Sequence, residues 1–230
     1  KTLGGSSSIN GMIYIRGNQQ DYDNWAANGN EGWGYRDVLP YFLKSENNET
    51  YGDQSEHGSG GPLNVTYIKD PSPVHENFFN ATDKFQYSRN PDFNSGTQEG
   101  FGVYQVTQKN GRRFSTAAAF LRPARDRKNL TVITNATVSK INIEAGVAKR
   151  VAYQRKGHNA SVAANKEILL AAGAIVSPKI LLQSGIGPGE ELKVHGIEVT
   201  HHLPGVGKNL QDHVNAVAQY KTKSRIPYGM

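Results

Sequence analysis

One short segment, residues 167–178, constrains the fold more than any other feature of the sequence. Residues 167–172 carry a short, unbroken apolar run of the kind found in buried strands of parallel sheets. The run ends at Gly173, after which Ser177 and Pro178 offer an N-cap hydroxyl and a proline at the first position of a predicted helix. A strand, a glycine turn and a helix in this order predict an α/β fold, in which ligands bind at such corners.

A second segment, at the start of the chain, combines adjacent glycines with hydroxyl side chains. Gly4 and Gly5 allow the backbone to approach a ligand closely, and the serines at 6–8 supply donors for phosphate oxygens. A helix that began at the serines would add its positive N-terminal end. Taken alone, the same residues are also typical of a flexible linker. The segment therefore indicates either a loop for a phosphorylated cofactor or a linker.

Two long, ordered stretches favour the cofactor loop. The first is 1–23, in which Gly4-Gly5-Ser6-Ser7 is followed by Asn10, Tyr14 and Gly17. The second is 173–187, followed by 206–213, and the stretches 110–121 and 129–134 lie between them. In all four, the chain resembles the glucose-methanol-choline (GMC) oxidoreductases, flavoenzymes that oxidise alcohols, and especially their arthropod glucose-dehydrogenase-like members.

The resemblance implies a set of residues that contact FAD. It places Asn10 near the reactive ring, the main chain of Val138 on adenine, and Ala172 with Gly173 near the ribose and pyrophosphate. Asp212 and His213 match a family motif close to the cofactor. The complete implied set is Gly4, Gly5, Ser6, Ser7, Asn10, Gly11, Val138, Ala172, Gly173, Asp212 and His213. FAD is expected to be bound non-covalently, because Ser8-Ile9-Asn10 contains no histidine that could tether it.

The resemblance also implies the domain organisation. The fold class is α/β with α+β elements, comprising part of a Rossmann-like FAD/NAD(P)-binding domain and part of a GMC substrate domain. Residues 1–57 are assigned to a flavin-contacting loop and lid, and 58–110 to the first part of the substrate domain. Residues 111–215 continue the FAD-binding domain, and 216–230 begin a second substrate-domain segment.

The chain is expected to be an internal piece of a longer enzyme. No Gly-x-Gly-x-x-Gly follows a predicted strand, although a first dinucleotide-binding βαβ unit normally carries one. In the family that fingerprint lies upstream of the first motif, and the catalytic base is a histidine far downstream. The catalytic residue is therefore unknown from this sequence.

Local patterns predict helices and strands along the chain. The helices are predicted at 9–14, 21–27, 32–42 and 74–85, and the strands at 63–68, 100–107, 130–134, 136–143, 147–154 and 161–163. Core packing is the preferred role for Trp25, Trp33, Tyr41 and Phe42.

Composition excludes several classes of protein. The net charge of +6 is spread along the chain without a nucleic-acid-binding motif, so no nucleic-acid partner is expected. No apolar run approaches the about 20 residues of a membrane span. The chain has no cysteine, and its one adjacent histidine pair, His201-His202, lacks a second ligand motif, so no metal site is expected.

The sequence also bears on location. Six Asn-x-Ser/Thr sequons begin at Asn48, Asn64, Asn80, Asn129, Asn135 and Asn159. They favour an extracellular protein or one of the secretory pathway.

The resemblance implies an FAD-dependent oxidoreductase that transfers hydride from an alcohol or sugar carbon to flavin N5. The electron acceptor is expected to be a quinone or oxygen. An alternative is a catalytically inactive binding or structural protein derived from the family. A serine hydrolase is disfavoured, because no Gly-x-Ser-x-Gly motif is present.

Overall fold

The computed structural model describes residues 1–219, which divide into two compact units, Lys1–Leu130 and 131–219. The predicted segment 216–230 therefore lies largely outside the described residues. Helices of the first unit are α1 (Gln19–Ala27), α2 (Tyr35–Ser45), α3 (Val74–Lys84) and α4 (Arg122–Ala124), with a 3-10 turn at Gly5–Ser8 and a π-helical turn at Ala117–Leu121. Its strands are β1 (Glu46–Asn48), β2 (Leu63–Val65), β3 (Gln108–Lys109) and β4 (Arg112–Arg113).

Helix α1 confirms the helix predicted at 21–27, although its cap is Asn18 rather than Asp21. The Asn18 side chain accepts the Gln20 backbone N–H at 3.0 Å, and Asp21 accepts the Asn18 N–H at 3.0 Å. This reciprocal pair satisfies two of the donors that a helix leaves unpaired at its start. Helices α2 and α3 confirm the predictions at 32–42 and 74–85 in type, with shifted ends.

Aromatic side chains join α1 to α2. Tyr22 is buried and meets both Trp25 and Phe42 edge-on, with ring centroids 5.4 and 5.8 Å apart. The predicted core role is wrong for Tyr41, which is 72% exposed. Trp25 and Trp33 pack on each other but remain about half exposed. Several aromatic side chains in and between α1 and α2 therefore remain exposed outside the core of the first unit.

Two predictions in the first unit are wrong. Residues 9–14 do not form a helix, because Met12 has a φ of +65° and Tyr14 donates its backbone N–H to the Gln105 carbonyl. Residues 100–107 form only isolated bridges instead of a strand. Gly102 lies so close to Asn90 that an added Cβ would overlap the Asn90 carbonyl, so only glycine fits at this position.

A three-stranded antiparallel sheet dominates the second unit and confirms the strands predicted at 136–143, 147–154 and 161–163. Its strands are β5 (Ala136–Glu144), β6 (Val147–Arg155) and β7 (His158–Ala163), in that spatial order. The turns at Ala145-Gly146 and Lys156-Gly157 have positive φ at both residues, as two-residue hairpins require. Sheet order therefore follows directly from turn chemistry.

The corner at Gly173 differs from its prediction. Within residues 1–219, neither 130–134 nor 167–172 pairs with another strand, and Leu169 is 80% exposed. An extended segment becomes a strand only when a neighbour takes its N–H and carbonyl groups. Helix α5 (Gly173–Gln183) begins at the glycine itself, five residues before Pro178. The Ser177 hydroxyl accepts the Ala172 N–H at 3.0 Å, and it closes the turn from inside the helix.

Short elements complete the second unit. They are β8 (Ile186–Gly187), α6 (Gly189–Val194) and β9 (His201–His202), with β8 and β9 parallel. His202 accepts the Gly189 N–H through Nδ1 at 3.0 Å. None of the helices described in 1–219 combines the length and hydropathy needed to cross a bilayer.

Candidate functional site

The double-glycine loop adopts a tight left-handed turn. Gly4 and Gly5 have φ values of +87° and +55°, which favour glycine strongly. A Cβ at Gly4 would come within 2.5 Å of the Ser8 hydroxyl and 3.2 Å of the Ala117 Cβ. A Cβ at Gly5 would meet no atom within 4 Å. One glycine thus packs against the protein while the next faces open space.

The serine hydroxyls serve the loop itself. Ser7 Oγ donates to the Gly4 carbonyl at 2.5 Å and accepts the Thr116 N–H at 2.9 Å. Ser8 Oγ donates to the Leu3 carbonyl at 2.8 Å. The Ser6 side chain is exposed. Gly5–Ser8 form only a single 3-10 turn, so the helix dipole expected from a helix at the serines is not available here.

Asn10 is held by Arg113, a residue that the sequence analysis did not single out. Arg113 donates through Nη1 to Asn10 Oδ1 at 2.8 Å and through Nη2 to the Asn10 carbonyl at 2.7 Å. Its Nη1 also reaches the Ser7 carbonyl at 3.0 Å. Arg113 therefore holds one loop that contains six of the predicted residues, Gly4, Gly5, Ser6, Ser7, Asn10 and Gly11.

The remaining predicted residues lie in the second unit. Val138 pairs with Tyr153 beside a bulge in β5, and within the described residues β5 is an edge strand of its sheet. An edge strand leaves backbone groups available for a ligand. Gly173 has a φ of +88°, and a Cβ there would meet no atom within 4 Å. Helix α5 packs on β5, where Ser184 Oγ accepts the Ile141 N–H at 2.8 Å.

Asp212 and His213 lie in an exposed stretch without regular secondary structure. The His213 N–H donates to Asp212 Oδ1 at 2.9 Å, a bond between neighbours that places neither side chain against another element. Val138 and Gly173 thus lie on two elements that pack on each other, whereas Asp212 and His213 lie outside any helix or strand.

A buried ionic cluster lies in the core of the first unit. Arg16 Nη2 binds Glu46 Oε2 at 2.6 Å, His57 Nδ1 lies 3.1 Å from Glu46 Oε1, and His57 Nε2 lies 2.8 Å from Asp92 Oδ2. Asn48 donates a further hydrogen bond to Glu46 Oε1 at 2.9 Å. Two cations and two anions balance when His57 is protonated, as buried charges require.

The cluster shifts the pKa values of its members. Burial alone would lower the pKa of His57, but hydrogen bonds to Asp92 and Glu46 outweigh it and raise the pKa to about 9. Burial would raise the pKa of Glu46, yet the hydrogen bonds from His57, Asn48 and the Gly58 N–H hold it below its usual range. His57 is therefore a charged bridge between two carboxylates at neutral pH.

An apolar cavity of about 380 Å³ opens in the first unit, mainly in the segment that the resemblance assigns to the substrate domain. Its walls include Tyr51, Tyr67, Phe79 and Phe101. The Tyr51 and Tyr67 hydroxyls both donate to the Pro91 carbonyl. Arg89 and Asn90 add polar groups to the wall. The volume falls in the range of small-molecule pockets.

The sequence carried little signal for the cluster or for Arg113. Arg16, Glu46, His57 and Asp92 are far apart in the chain, and none has a motif of metal-binding or catalytic spacing. Arg113 lies in a stretch, 110–121, that already resembles the family. A functional interpretation of its own needed the fold, because Arg113 meets the glycine loop only through tertiary contact.

Comparison with known proteins identifies the family. The profile described as GMC oxidoreductase matches residues 1–215. An alcohol dehydrogenase [acceptor] of Pseudomonas putida is 44% identical over 232 residues, which cover 100% of this chain and 42% of that protein. A glucose dehydrogenase [FAD, quinone] of Drosophila pseudoobscura pseudoobscura is 44% identical over 220 residues, covering 93% of this chain and 35% of that protein.

A solved structure agrees with these relatives. The FAD-dependent oxidoreductase from Chaetomium thermophilum superposes with a TM-score of 0.85 at 35% identity, over 92% of this chain and 39% of its own. The likeness confirms the predicted α/β fold class. The chain spans less than half the length of the proteins it matches. Because the profile matches residues 1–215, nearly the whole chain, the chain belongs to the GMC oxidoreductase family.

Proposed function

We propose that this chain is the cofactor- and substrate-binding middle portion of an FAD-dependent enzyme that oxidises the CH–OH group of an alcohol or sugar. The relatives named above are an alcohol dehydrogenase and a glucose dehydrogenase, and the solved neighbour is FAD-dependent. A quinone or oxygen is the proposed electron acceptor. The domain limits at 57/58, 110/111 and 215/216 belong to the same proposal.

The observation that carries the proposal is the pair Gly4-Gly5, two successive left-handed glycines within the segment that resembles the family. Successive left-handed glycines bring the main chain close to a ligand, and the space beside Gly5 is free of protein atoms within 4 Å. In the second unit, Gly173 also has a positive φ, and a Cβ there would meet no atom within 4 Å. A negatively charged pyrophosphate suits such loops, because no side chain of the loop competes for the space.

The residues proposed to hold FAD are those that the resemblance implies. Within the first unit the glycine loop would lie along the cofactor, with the Asn10 side chain beside it, and within the second unit the β5 main chain and the Gly173 turn would bind. When bound, FAD supplies the hydride acceptor that protein side chains lack. The proposed set is Gly4, Gly5, Ser6, Ser7, Asn10, Gly11, Val138, Ala172, Gly173, Asp212 and His213.

The test replaces Gly5 by leucine in the complete protein and measures flavin retained after purification from the visible absorbance. Gly29→Leu is the matched control, because Gly29 also has a positive φ, +93°, and also faces open space. We expect loss of most flavin from Gly5→Leu and normal flavin in Gly29→Leu. Equal flavin in both variants would contradict the loop assignment, and a colourless wild-type protein would contradict the cofactor.

The four exposed sequons support an extracellular or secretory location. Asn48 and Asn64 are buried and hydrogen-bonded, so a glycan cannot be attached to either in the folded chain. The other four sequon asparagines, at Asn80, Asn129, Asn135 and Asn159, have exposed side chains.

A further inference from the structure

Residues 107–116 form hydrogen bonds to the glycine loop and to the residues directly after it. Thr107 donates its backbone N–H to the Met12 carbonyl at 2.8 Å, and Thr116 donates its hydroxyl to the Gly4 carbonyl at 3.1 Å. Arg113 lies between them and binds both the Ser7 and the Asn10 carbonyls. The loop therefore takes its conformation from the hairpin of β3 and β4 as much as from its own glycines.

Arg113 also determines how the Asn10 amide is turned. Asn10 Oδ1 accepts two hydrogen bonds, from Arg113 Nη1 at 2.8 Å and from the Met12 N–H at 3.0 Å. Both donors require the oxygen, because an amide nitrogen cannot accept. The Asn10 Nδ2 group consequently points away from Arg113, and its two N–H groups are left as donors on an exposed side chain.

The charge of Arg113 is not neutralised by an acidic partner. Across residues 1–219, every ion pair involves other basic groups, and Arg113 is half-buried with only loop oxygens as acceptors. A guanidinium in this position adds a positive potential at the loop, and its two planar Nη groups can bind two acceptors at once. Its neighbour Arg112 is exposed and makes none of these contacts.

From this geometry we infer that Arg113 is a positioning residue for the cofactor loop, which locks Asn10 so that its amide donates, rather than accepts, a hydrogen bond toward FAD. The inference rests on the proposed function. It makes two separable claims. The first is that the Arg113 guanidinium determines the conformation of the loop. The second is that the Asn10 amide acts toward FAD as a hydrogen-bond donor.

The first claim is tested by comparing Arg113→Met with Arg112→Met in the complete protein. Both substitutions remove one positive charge, but only Arg113 is half-buried and hydrogen-bonded to the loop. FAD binding to the apoprotein, followed by flavin fluorescence, should weaken by about tenfold or more in Arg113→Met, as loss of charged hydrogen bonds predicts. Arg112→Met should stay within about twofold of wild type, because an exposed charge contributes little.

Rescue distinguishes positioning from a general loss of structure. Ethylguanidine added to Arg113→Ala should restore part of the FAD affinity, whereas Arg112→Ala should not respond. If Arg113→Met does not fold, Arg113→Lys takes its place, since lysine keeps the charge and lacks the planar fork. Wild-type FAD affinity in Arg113→Lys, or in a folded Arg113→Met, would overturn the inference.

The second claim is tested by Asn10→Asp. A carboxylate keeps the acceptor for Arg113 and removes the donor, so the hydrogen bond to Arg113 becomes an ion pair while the contact to FAD is lost. We expect weaker FAD binding and a shifted visible flavin spectrum in Asn10→Asp despite normal thermal stability of the apoprotein. Unchanged affinity and spectrum would overturn the donor assignment. Failure of wild type itself to bind FAD would instead refute the proposed function.

Discussion

His57 gives the first unit a pH-dependent core. Its side chain is fully buried between Glu46 and Asp92, and its pKa of about 9 lies well above the usual 6.5. Because the folded pKa is raised, the stabilisation is complete below about pH 6.5 and is lost as pH rises through about 9. The carboxylates have lowered pKa values and act in the opposite direction, losing their contribution as the solution becomes acidic.

We predict that stability falls between pH 7 and pH 9.5 in wild type and much less in His57→Gln. The shift from 6.5 to about 9 corresponds to about 3 kcal/mol at most, and less where the two carboxylates can relax. Thermal denaturation across this range measures the difference. His158→Gln is the control, because His158 is exposed on β7. A wild-type curve as flat as that of His57→Gln would contradict the charged bridge.

At the scale of elements, the sequence predicts what local chemistry determines. Helix α1 is recoverable because Asn18 and Asp21 satisfy each other's backbone donors, and the β5–β6–β7 sheet is recoverable because two-residue glycine turns fix its hairpins. The strand predicted at 167–172 is wrong, because a strand forms only with a pairing neighbour and none is present among residues 1–219. The strand predicted at 100–107 is wrong, because this segment pairs only through isolated bridges at Phe101 and Val106, which an alternating pattern cannot specify.

The same reasoning applies to the candidate site. The resemblance to the GMC family identified the glycine loop from its sequence, but it indicated no role for Arg113 or the His57 cluster. Contacts across long sequence separations leave no periodicity to read.

The start of α5 offers a prediction at this scale. The Ser177 hydroxyl accepts the Ala172 N–H and so closes the turn at Gly173. Ser177→Ala should cost about 1 kcal/mol, as loss of one hydrogen bond does, and should speed hydrogen exchange at the Ala172 amide. Ser161→Ala, on the exposed face of β7, should change neither quantity. An Ala172 amide equally protected in both variants would show that the turn is held by other contacts.

At the scale of the whole molecule, burial divides the sequons into two classes. Asn48 lies in the His57 cluster, and Asn64 binds both Glu49 and the Gln108 carbonyl. A glycan on either would have to break buried polar contacts, which is costly in a core with few alternatives. The sequence motif alone cannot separate these two from the others, because it reports acceptor chemistry and not exposure.

A secreted protein should therefore carry N-glycans only at Asn80, Asn129, Asn135 and Asn159. Mass spectrometry of peptides from protein isolated from the cells that make it, with and without enzymatic deglycosylation, measures occupancy at each site. Asn159→Gln should remove one glycan and leave the fold intact, since Asn159 is exposed on β7, whereas Asn48→Gln should lower the melting temperature without changing glycan mass. Occupancy at Asn48 or Asn64 would contradict their burial. A complete absence of glycans would contradict the proposed secretory location, because four accessible acceptors would have met no transferase.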